Sequence, residues 1–272
     1  MLTLDIEIPK PSRYVSHEVV DQIALAYNRA YRAQSGNDRG YPVAIDRFID
    51  LLEISMLWEE IEEPEEARFF ANYSPEDNGL ITINKKHLKL FKARPDVYCA
   101  CLGHEGGHCV LRHWERTNSN EGSDFLFADL STQQPRLFHK SSWYQYGLTR
   151  QEVEERKRAN QDLTRRLVSK ALLSATARQT LEMMRDHFEP EWMFRQAEHF
   201  SLCLSIPRDR LLEVLEEGHS LRGWAPIYRL AERFGVSCTM MKIRLEKLRL
   251  IEMDSDGKPR PRRPAMQGGL FN

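Results

Sequence analysis

One pentapeptide carries the clearest chemistry in this sequence. His104, Glu105 and His108 form the pattern HExxH within the segment CLGHEGGHCVLRH. On a helix, residues four apart lie on one face about one turn apart, so both imidazoles can bind the same metal ion. Glu105 follows the first ligand and can accept a proton from a metal-bound water. The pattern therefore predicts a zinc (Zn²⁺) site with Glu105 as the general base.

Two glycines inside the pattern add a packing expectation. Gly106 and Gly107 are consecutive, and each costs about 1 kcal/mol in a helix interior relative to alanine. We therefore expect another element to pack close to this helix backbone. The alternative interpretation of the pattern is a core histidine pair with an incidental glutamate.

Zinc at a catalytic site needs a third protein ligand and leaves its fourth position to water. We expect a later helix, predicted from Glu191 to Ile206, to supply this ligand. Cys101 lies three residues before His104 and offers a thiolate, although a buried cysteine with an apolar role is the other interpretation.

Composition restricts the class of protein. The 272 residues carry a net charge of −1 and are 41% hydrophobic, so bulk charge favours neither a nucleic-acid binder nor an enzyme for acidic substrates. Five cysteines without a framework spacing are typical of reduced thiols. The sequence predicts neither a membrane span nor a signal peptide, so we expect a cytoplasmic protein.

Hydrophobic periodicity predicts a mostly helical α+β chain. Ser16 caps a first helix that ends near Gly36, and short β-like runs precede the HExxH helix. A polar link separates the last of these runs from that helix. The expected elements are a helix in PVAIDRFIDLL, strands in ISMLWEEI, ARFFANY and LITIN, the helix EWMFRQAEHFSLCLSI, the short helix LLEVLEEG, and two helices in WAPIYRLAERFGVSCTMMKIRLEKLRLI split at Gly235.

These pieces together resemble the ImmA/IrrE metallopeptidases of bacteria and their mobile elements. The resemblance covers about 18–116 and 187–251, and only HExGH is specific by itself. It implies a zincin-like fold with a small twisted sheet beside the HExxH helix, zinc as cofactor, and a zinc-dependent endopeptidase. The matching segments, in family order, are YPVAIDRFIDLLEI, LITIN, HEGGH, FRQAEHFSLCLSIP and LAERFGVSCTMMKIRLEKLRLI.

The third-ligand helix departs from the family pattern. Phe194 stands where the family usually has the glutamate expected to bind the metal. Glu198 lies four residues on, on the same helix face, and is our first choice of metal ligand. Glu191 is the alternative ligand, and a degraded or differently completed site also remains open.

The resemblance also implies a domain plan and a substrate. We expect a peptidase domain over 1–206, interrupted by an insert at about 117–186 that is either a functional lid or surface or a structural addition. Ile83 and Asn84 end a strand that resembles the edge strand along which zincins bind extended substrate. The implied substrate is a protein, a helix-turn-helix transcriptional repressor or an antitoxin-like partner.

The C-terminal helices, within 207–252, have helix-turn-helix spacing and a basic second helix. Direct DNA binding is one interpretation. The resemblance instead implies that these helices pack beside the peptidase and help to hold the substrate. The basic residues are Lys242, Arg244, Lys247 and Arg249.

The tail 253–272 is rich in Pro, Gly and Arg and is predicted to be disordered. Its residues Gln267, Leu270 and Phe271 are similar to the short peptides that dock on the bacterial sliding clamp. A plain disordered end is the other interpretation. The rival hypothesis for the whole chain is a non-catalytic regulatory module that binds DNA or protein and has a degraded metal site.

Overall fold

The computed structural model describes residues 15–61, 70–75, 79–113, 191–218 and 220–262. This part of the chain is mostly helical with two small sheets, which confirms the α+β expectation. None of its helices has the length and hydropathy to cross a bilayer. The helices are α1 (His17–Ser35), α2 (Ile45–Leu51), α3 (Leu88–Ala93), α4 (Pro95–Val110), α5 (Glu191–Ser205), α6 (Arg208–Glu216), α7 (Trp224–Phe234) and α8 (Cys238–Lys247); the strands are β1 (Ser55–Glu59), β2 (Ala71–Ser74), β3 (Leu80–Asn84), β4 (Ile251–Met253) and β5 (Pro259–Pro261).

Capping residues fix the ends of the first helix as the sequence predicts. Ser16 Oγ accepts a hydrogen bond from Val19 N at 3.3 Å, which satisfies a donor left unpaired at the helix start. Gly36 ends the helix with a φ of 65°, a left-handed conformation that glycine adopts without steric cost. The same pair of devices, Ser237 and Gly235, separates α7 from α8.

The larger sheet has the order β1-β3-β2. β3 pairs in parallel with β1 and antiparallel with β2. The expectation that LITIN is an edge strand is therefore wrong, because it forms the centre of the sheet. Strand order depends on long-range pairing, and the local sequence pattern contains no information about it. Among the described residues, β2 pairs with β3 alone and also contacts α4.

The helix α4, which carries HExxH, lies at the centre of the packing. Gly107 is so close to α5 that an added Cβ would lie 3.1 Å from both Cα and O of Ala197. On the other side, Gly106 faces Ile49 and Phe48 of α2. The expectation that other elements approach this backbone is confirmed, and the glycines position α4 between α2 and α5.

The two glycines give a matched pair of substitutions. We expect Gly107→Ala to lower the free energy of unfolding by about 1–3 kcal/mol, because the new methyl meets backbone that cannot rotate away. Gly106→Ala meets side-chain atoms instead, the Ile49 Cδ1 methyl at 3.2 Å and the Phe48 ring at 3.4 Å. We expect a change within about 1 kcal/mol, because the methyl can shift and helix propensity offsets part of the cost. Urea unfolding monitored by circular dichroism measures both. Equal effects would contradict the backbone contact.

The C-terminal segment is more ordered than its composition predicts. β4 and β5 pair antiparallel, with Ile251 opposite Pro261, and Gly257 adopts a φ of 70° in the turn between them. The prediction of disorder from residue 253 is therefore wrong for 253–262. Proline and glycine in this stretch form an edge strand and a tight turn. Residues 263–272 lie outside the described part, as do the clamp-like residues Gln267, Leu270 and Phe271.

Contacts between α8 and the N-terminal helices cross the predicted boundary at 206/207. Arg244 is 1% exposed and forms two hydrogen bonds with the Asp21 carboxylate of α1, at 2.6 Å and 3.0 Å. Its Nε also donates to Ile206 O at 3.0 Å. Tyr41 stacks on Phe234 of α7 with ring centroids 4.1 Å apart. The boundary stays a prediction, and the helices beyond it form a second hydrophobic cluster that also includes Tyr41, Ala100 and Leu202. The predicted insert at 117–186 lies outside the described residues.

Candidate metal centre

The two histidines of the HExxH pattern converge on one point. His104 Nε2 and His108 Nε2 lie 3.1 Å apart. Two imidazole nitrogens bound to one tetrahedral zinc, each at about 2.0–2.1 Å, would be about 3.3 Å apart. His104 is buried and His108 is half-buried. The pair therefore fits two adjacent positions of a zinc ion with little movement.

Glu105, next to His104 on α4, is hydrogen-bonded to the larger sheet. Its Oε2 accepts a hydrogen bond from Tyr73 N of β2 at 2.8 Å. Tyr73 stands opposite Ile81 in the β2–β3 register, and its N–H points away from β3 because alternate residues of an antiparallel strand face outward. The outer edge of β2 and the carboxylate of Glu105 therefore share one side of the site.

An aromatic ring of α5 lies beside the histidine pair. The ring centroid of Phe194 is 4.8 Å from that of His104. Within the described ranges, no group of three His, Cys, Asp or Glu side chains is arranged to hold a metal ion. The described residues thus fit zinc through two ligands, and a third has to come from a rearranged α5 or from outside these ranges.

Glu198 of α5 lies close enough to Lys247 of α8 for their charges to interact. Burial lowers the pKa of Lys247, and the nearby Glu198 carboxylate acts in the opposite direction. Lys247 Nζ lies 2.9 Å from His199 Nδ1, and burial together with the Lys247 charge lowers the pKa of His199 to about 2. Glu198 as metal ligand stays a prediction. The side chain of the alternative ligand, Glu191, lies outside the described part.

Cys101 has the environment of an apolar residue. It is 6% exposed, and burial, followed by the charge of Glu105, raises the pKa of its thiol well above the ordinary value. Burial therefore disfavours a thiolate at this position. This supports the interpretation of Cys101 as a core residue.

The residues predicted to bind substrate are internal. Ile83 and Asn84 are both fully buried. The Asn84 side chain accepts from Ile61 N at 3.2 Å and donates to Ile61 O at 3.2 Å, and it also caps the turn that follows β3 by accepting from Lys86 N. Asn84 therefore holds the chain after β1 in place. The burial of these two residues weakens the prediction that they contact substrate, which depended on β3 being an edge strand.

The basic residues of α8, predicted to form one face, have different surroundings in the structure. Arg244 points into the core against Asp21, and Lys247 faces His199. Lys242 lies 3.5 Å from Glu246 on the same helix. Two of the four cations expected on a DNA-reading surface are thus used inside the protein, which weakens the case for direct DNA binding.

Sequence reasoning missed two polar side chains behind His108. His113 Nδ1 lies 2.8 Å from His108 Nδ1, and His113 Nε2 lies 3.2 Å from Gln196 Oε1. His113 is 3% exposed and Gln196 is fully buried. Helical spacing does not bring His113 beside His108. The contact between His113 and Gln196 joins residues 83 positions apart, which a local pattern does not predict. A third histidine, five residues after His108, was the only indication in the sequence.

Comparison with known families supports a peptidase assignment. Residues 171–246 match the family described as the IrrE N-terminal-like domain, which is a family of metallopeptidases. The match covers a little over a quarter of the chain and includes α5, α6 and α7. The HExxH helix lies outside it. No curated protein matches the chain.

Proposed function

On the premise that the chain belongs to the ImmA/IrrE family, as the match over residues 171–246 supports, we propose that it is a zinc-dependent endopeptidase of a protein substrate. The convergence of His104 Nε2 and His108 Nε2 at 3.1 Å, with Glu105 adjoining, carries the proposal. The fold accords with it, because a helix bearing two imidazoles and a carboxylate packs against a small sheet, as the zincin-like arrangement requires.

Bound zinc would supply a Lewis acid and a water that ionises near neutral pH. His104 and His108 would hold the ion, and the rigid α4 backbone fixes the spacing of their side chains. Glu105 takes a proton from the attacking water and delivers it to the leaving amine nitrogen. The hydrogen bond from Tyr73 N to Glu105 Oε2 orients the carboxylate for both transfers.

Substrate backbone is proposed to lie along the outer edge of β2. That edge is the one from which Tyr73 N already reaches Glu105, so a peptide lying there would pass beside the general base. Strand pairing of this kind binds extended peptides through main-chain hydrogen bonds. We therefore propose that β2, and not the buried β3, pairs with the substrate backbone.

The substrate class is proposed from the family resemblance. A helix-turn-helix repressor or an antitoxin-like protein is the expected substrate, and α7 and α8 are expected to take part in holding it. Docking on a sliding clamp through the C-terminal peptide stays a separate prediction. We also expect a cytoplasmic location.

Metal analysis of the purified protein tests the proposal. We expect about one zinc per wild-type chain, and loss of that zinc in His104→Ala and His108→Ala, because a catalytic site holds the ion through three protein ligands. Glu198→Gln and Glu191→Gln compare the two candidate third ligands, and Glu246→Gln on α8 is the matched control. Zinc retained in both Glu198→Gln and Glu191→Gln would assign the third ligand to another residue. A wild-type protein without zinc after reconstitution would overturn the metallopeptidase.

The second candidate is a binding protein with a degraded metal site. The ring of Phe194 beside His104, where the family usually has glutamate, favours it. Phe194→Glu separates the candidates. If the site is degraded, this variant gains zinc that the wild type lacks, whereas an intact wild-type site binds zinc before the substitution.

A further inference from the structure

We propose that His113 and Gln196 are positioning residues that hold His108 in the tautomer required of a metal ligand. This inference rests on the proposed function, since it concerns the same centre. It deepens that function by extending the site beyond the HExxH pattern. The observation is a continuous chain of contacts from His108 through His113 and Gln196 to the backbone of Val15.

The protons in this chain can be assigned from its far end. Gln196 Nε2 donates to Val15 O at 2.8 Å, and the flipped amide would place two acceptors together. Gln196 Oε1 therefore faces His113 Nε2, 3.2 Å away. An amide oxygen only accepts, so His113 Nε2 donates.

The assignment then passes through His113 to His108. A neutral imidazole carries one proton, so His113 Nδ1 is an acceptor. His108 Nδ1, at 2.8 Å, must donate to it. His108 Nε2 is left with its lone pair directed at the point where His104 Nε2 also converges. This is the nitrogen and the protonation state that zinc requires.

The backbone explains why His113 reaches His108. The helix α4 ends at Val110, and Arg112 adopts a φ of 53°. That left-handed residue turns the chain back so that His113 lies behind the helix. The close approach of Gly107 to Ala197 brings the neighbouring Gln196 within range of His113. A turn and a helix contact thus place two buried side chains on the side of His108 that faces away from His104.

Burial gives the arrangement its stability. His113 and Gln196 are 3% and 0% exposed, so water does not compete for their hydrogen bonds. Partners of this kind orient the ligand ring, and their removal typically weakens metal binding by about 10–100-fold. The effect reaches the metal through His108, because His113 contacts the nitrogen of His108 that faces away from His104.

Nitrogen-15 NMR of the metal-free protein at fixed pH tests the inference without activity. We expect neutral His108 with its proton on Nδ1 and neutral His113 with its proton on Nε2. His113→Leu removes the acceptor, so the Nδ1–H form of His108 should lose population and zinc affinity should fall about 10–100-fold. His113→Asn restores an acceptor oxygen near the same position and should recover most of both. Gln196→Met leaves His113 in place and tests the next contact in the chain.

The test has a matched control, and its negative outcomes distinguish failure of this inference from failure of the proposed function. His199 is buried to the same extent as His113 but lies against Lys247, so His199→Leu should leave the tautomer of His108 unchanged. A proton on His108 Nε2 in the wild type, or an unchanged tautomer in both His113→Leu and Gln196→Met, would overturn the inference. The expected tautomers in a protein that binds no zinc would support the hydrogen-bond chain and reject the peptidase.

Discussion

Replacing Glu105 with glutamine is expected to lower the rate of peptide hydrolysis by about 10²–10⁴-fold, the usual contribution of a positioned general base. Glutamine keeps the side-chain shape and still offers an oxygen to Tyr73 N, which donates to Glu105 Oε2 in the wild type. It cannot take a proton from water. Since the proposed zinc ligands are other side chains, zinc content should stay at the wild-type value.

Cleavage of a library of quenched fluorescent peptides, followed by mass spectrometry of the products, measures this effect. Glu59→Gln on the exposed end of β1 is the matched control, because it makes the same change away from the site. An unchanged rate in Glu105→Gln would reject the mechanism. Loss of zinc in that variant would instead show that Glu105 supports the metal and would leave its role in proton transfer unproven.

Local patterns predicted the parts of this fold that depend on neighbours in sequence. Apolar spacing and caps located α1, α4, α5 and the pair α7–α8 close to their observed bounds. The short helix α3 was missed, because a lysine-rich segment offers a narrow apolar stripe that Phe91 alone anchors in the core. A six-residue helix is stabilised by tertiary packing more than by its own propensity.

The site was predictable to the extent that it lies on one helix. HExxH places His104, Glu105 and His108 by helical geometry alone, and the structure brings both Nε2 atoms together. The surroundings depend on which elements meet. Tyr73 reaches Glu105 from a strand 32 positions away, and Phe194 reaches His104 from α5. Such contacts are set by strand order and helix packing, which a single sequence does not specify.

Composition alone predicted neither the order of the C-terminal segment nor the burial of charged residues in α8. The prolines and glycine of 253–262 suggested disorder, yet they suit a two-stranded hairpin with a left-handed turn residue. Similarly, the positive charge of α8 suggested a solvent-facing surface. A side chain's charge does not reveal whether a distant carboxylate compensates it, and Asp21 lies 223 positions from Arg244.

Arg244→Ala is expected to cost about 3–5 kcal/mol of unfolding free energy, because removing one member of a buried ion pair leaves the other uncompensated. The guanidinium binds Asp21 at two points and also donates to Ile206 O and Cys203 Sγ. Asp21, with 17% of its side chain exposed, gains only partial access to water when the cation is lost. Urea unfolding followed by circular dichroism measures the loss.

Lys242→Ala on the same helix provides the contrast. Lys242 pairs with Glu246 one turn away, and 30% of its side chain is exposed, so its removal should change stability by no more than about 0.5 kcal/mol. If α8 instead read DNA through its cations, both variants would fold normally and lose DNA affinity together. A loss below about 1 kcal/mol in Arg244→Ala would contradict the buried pair. The expected difference between the two cations therefore distinguishes a helix that joins α1 to α5 from a helix that presents a basic face to nucleic acid.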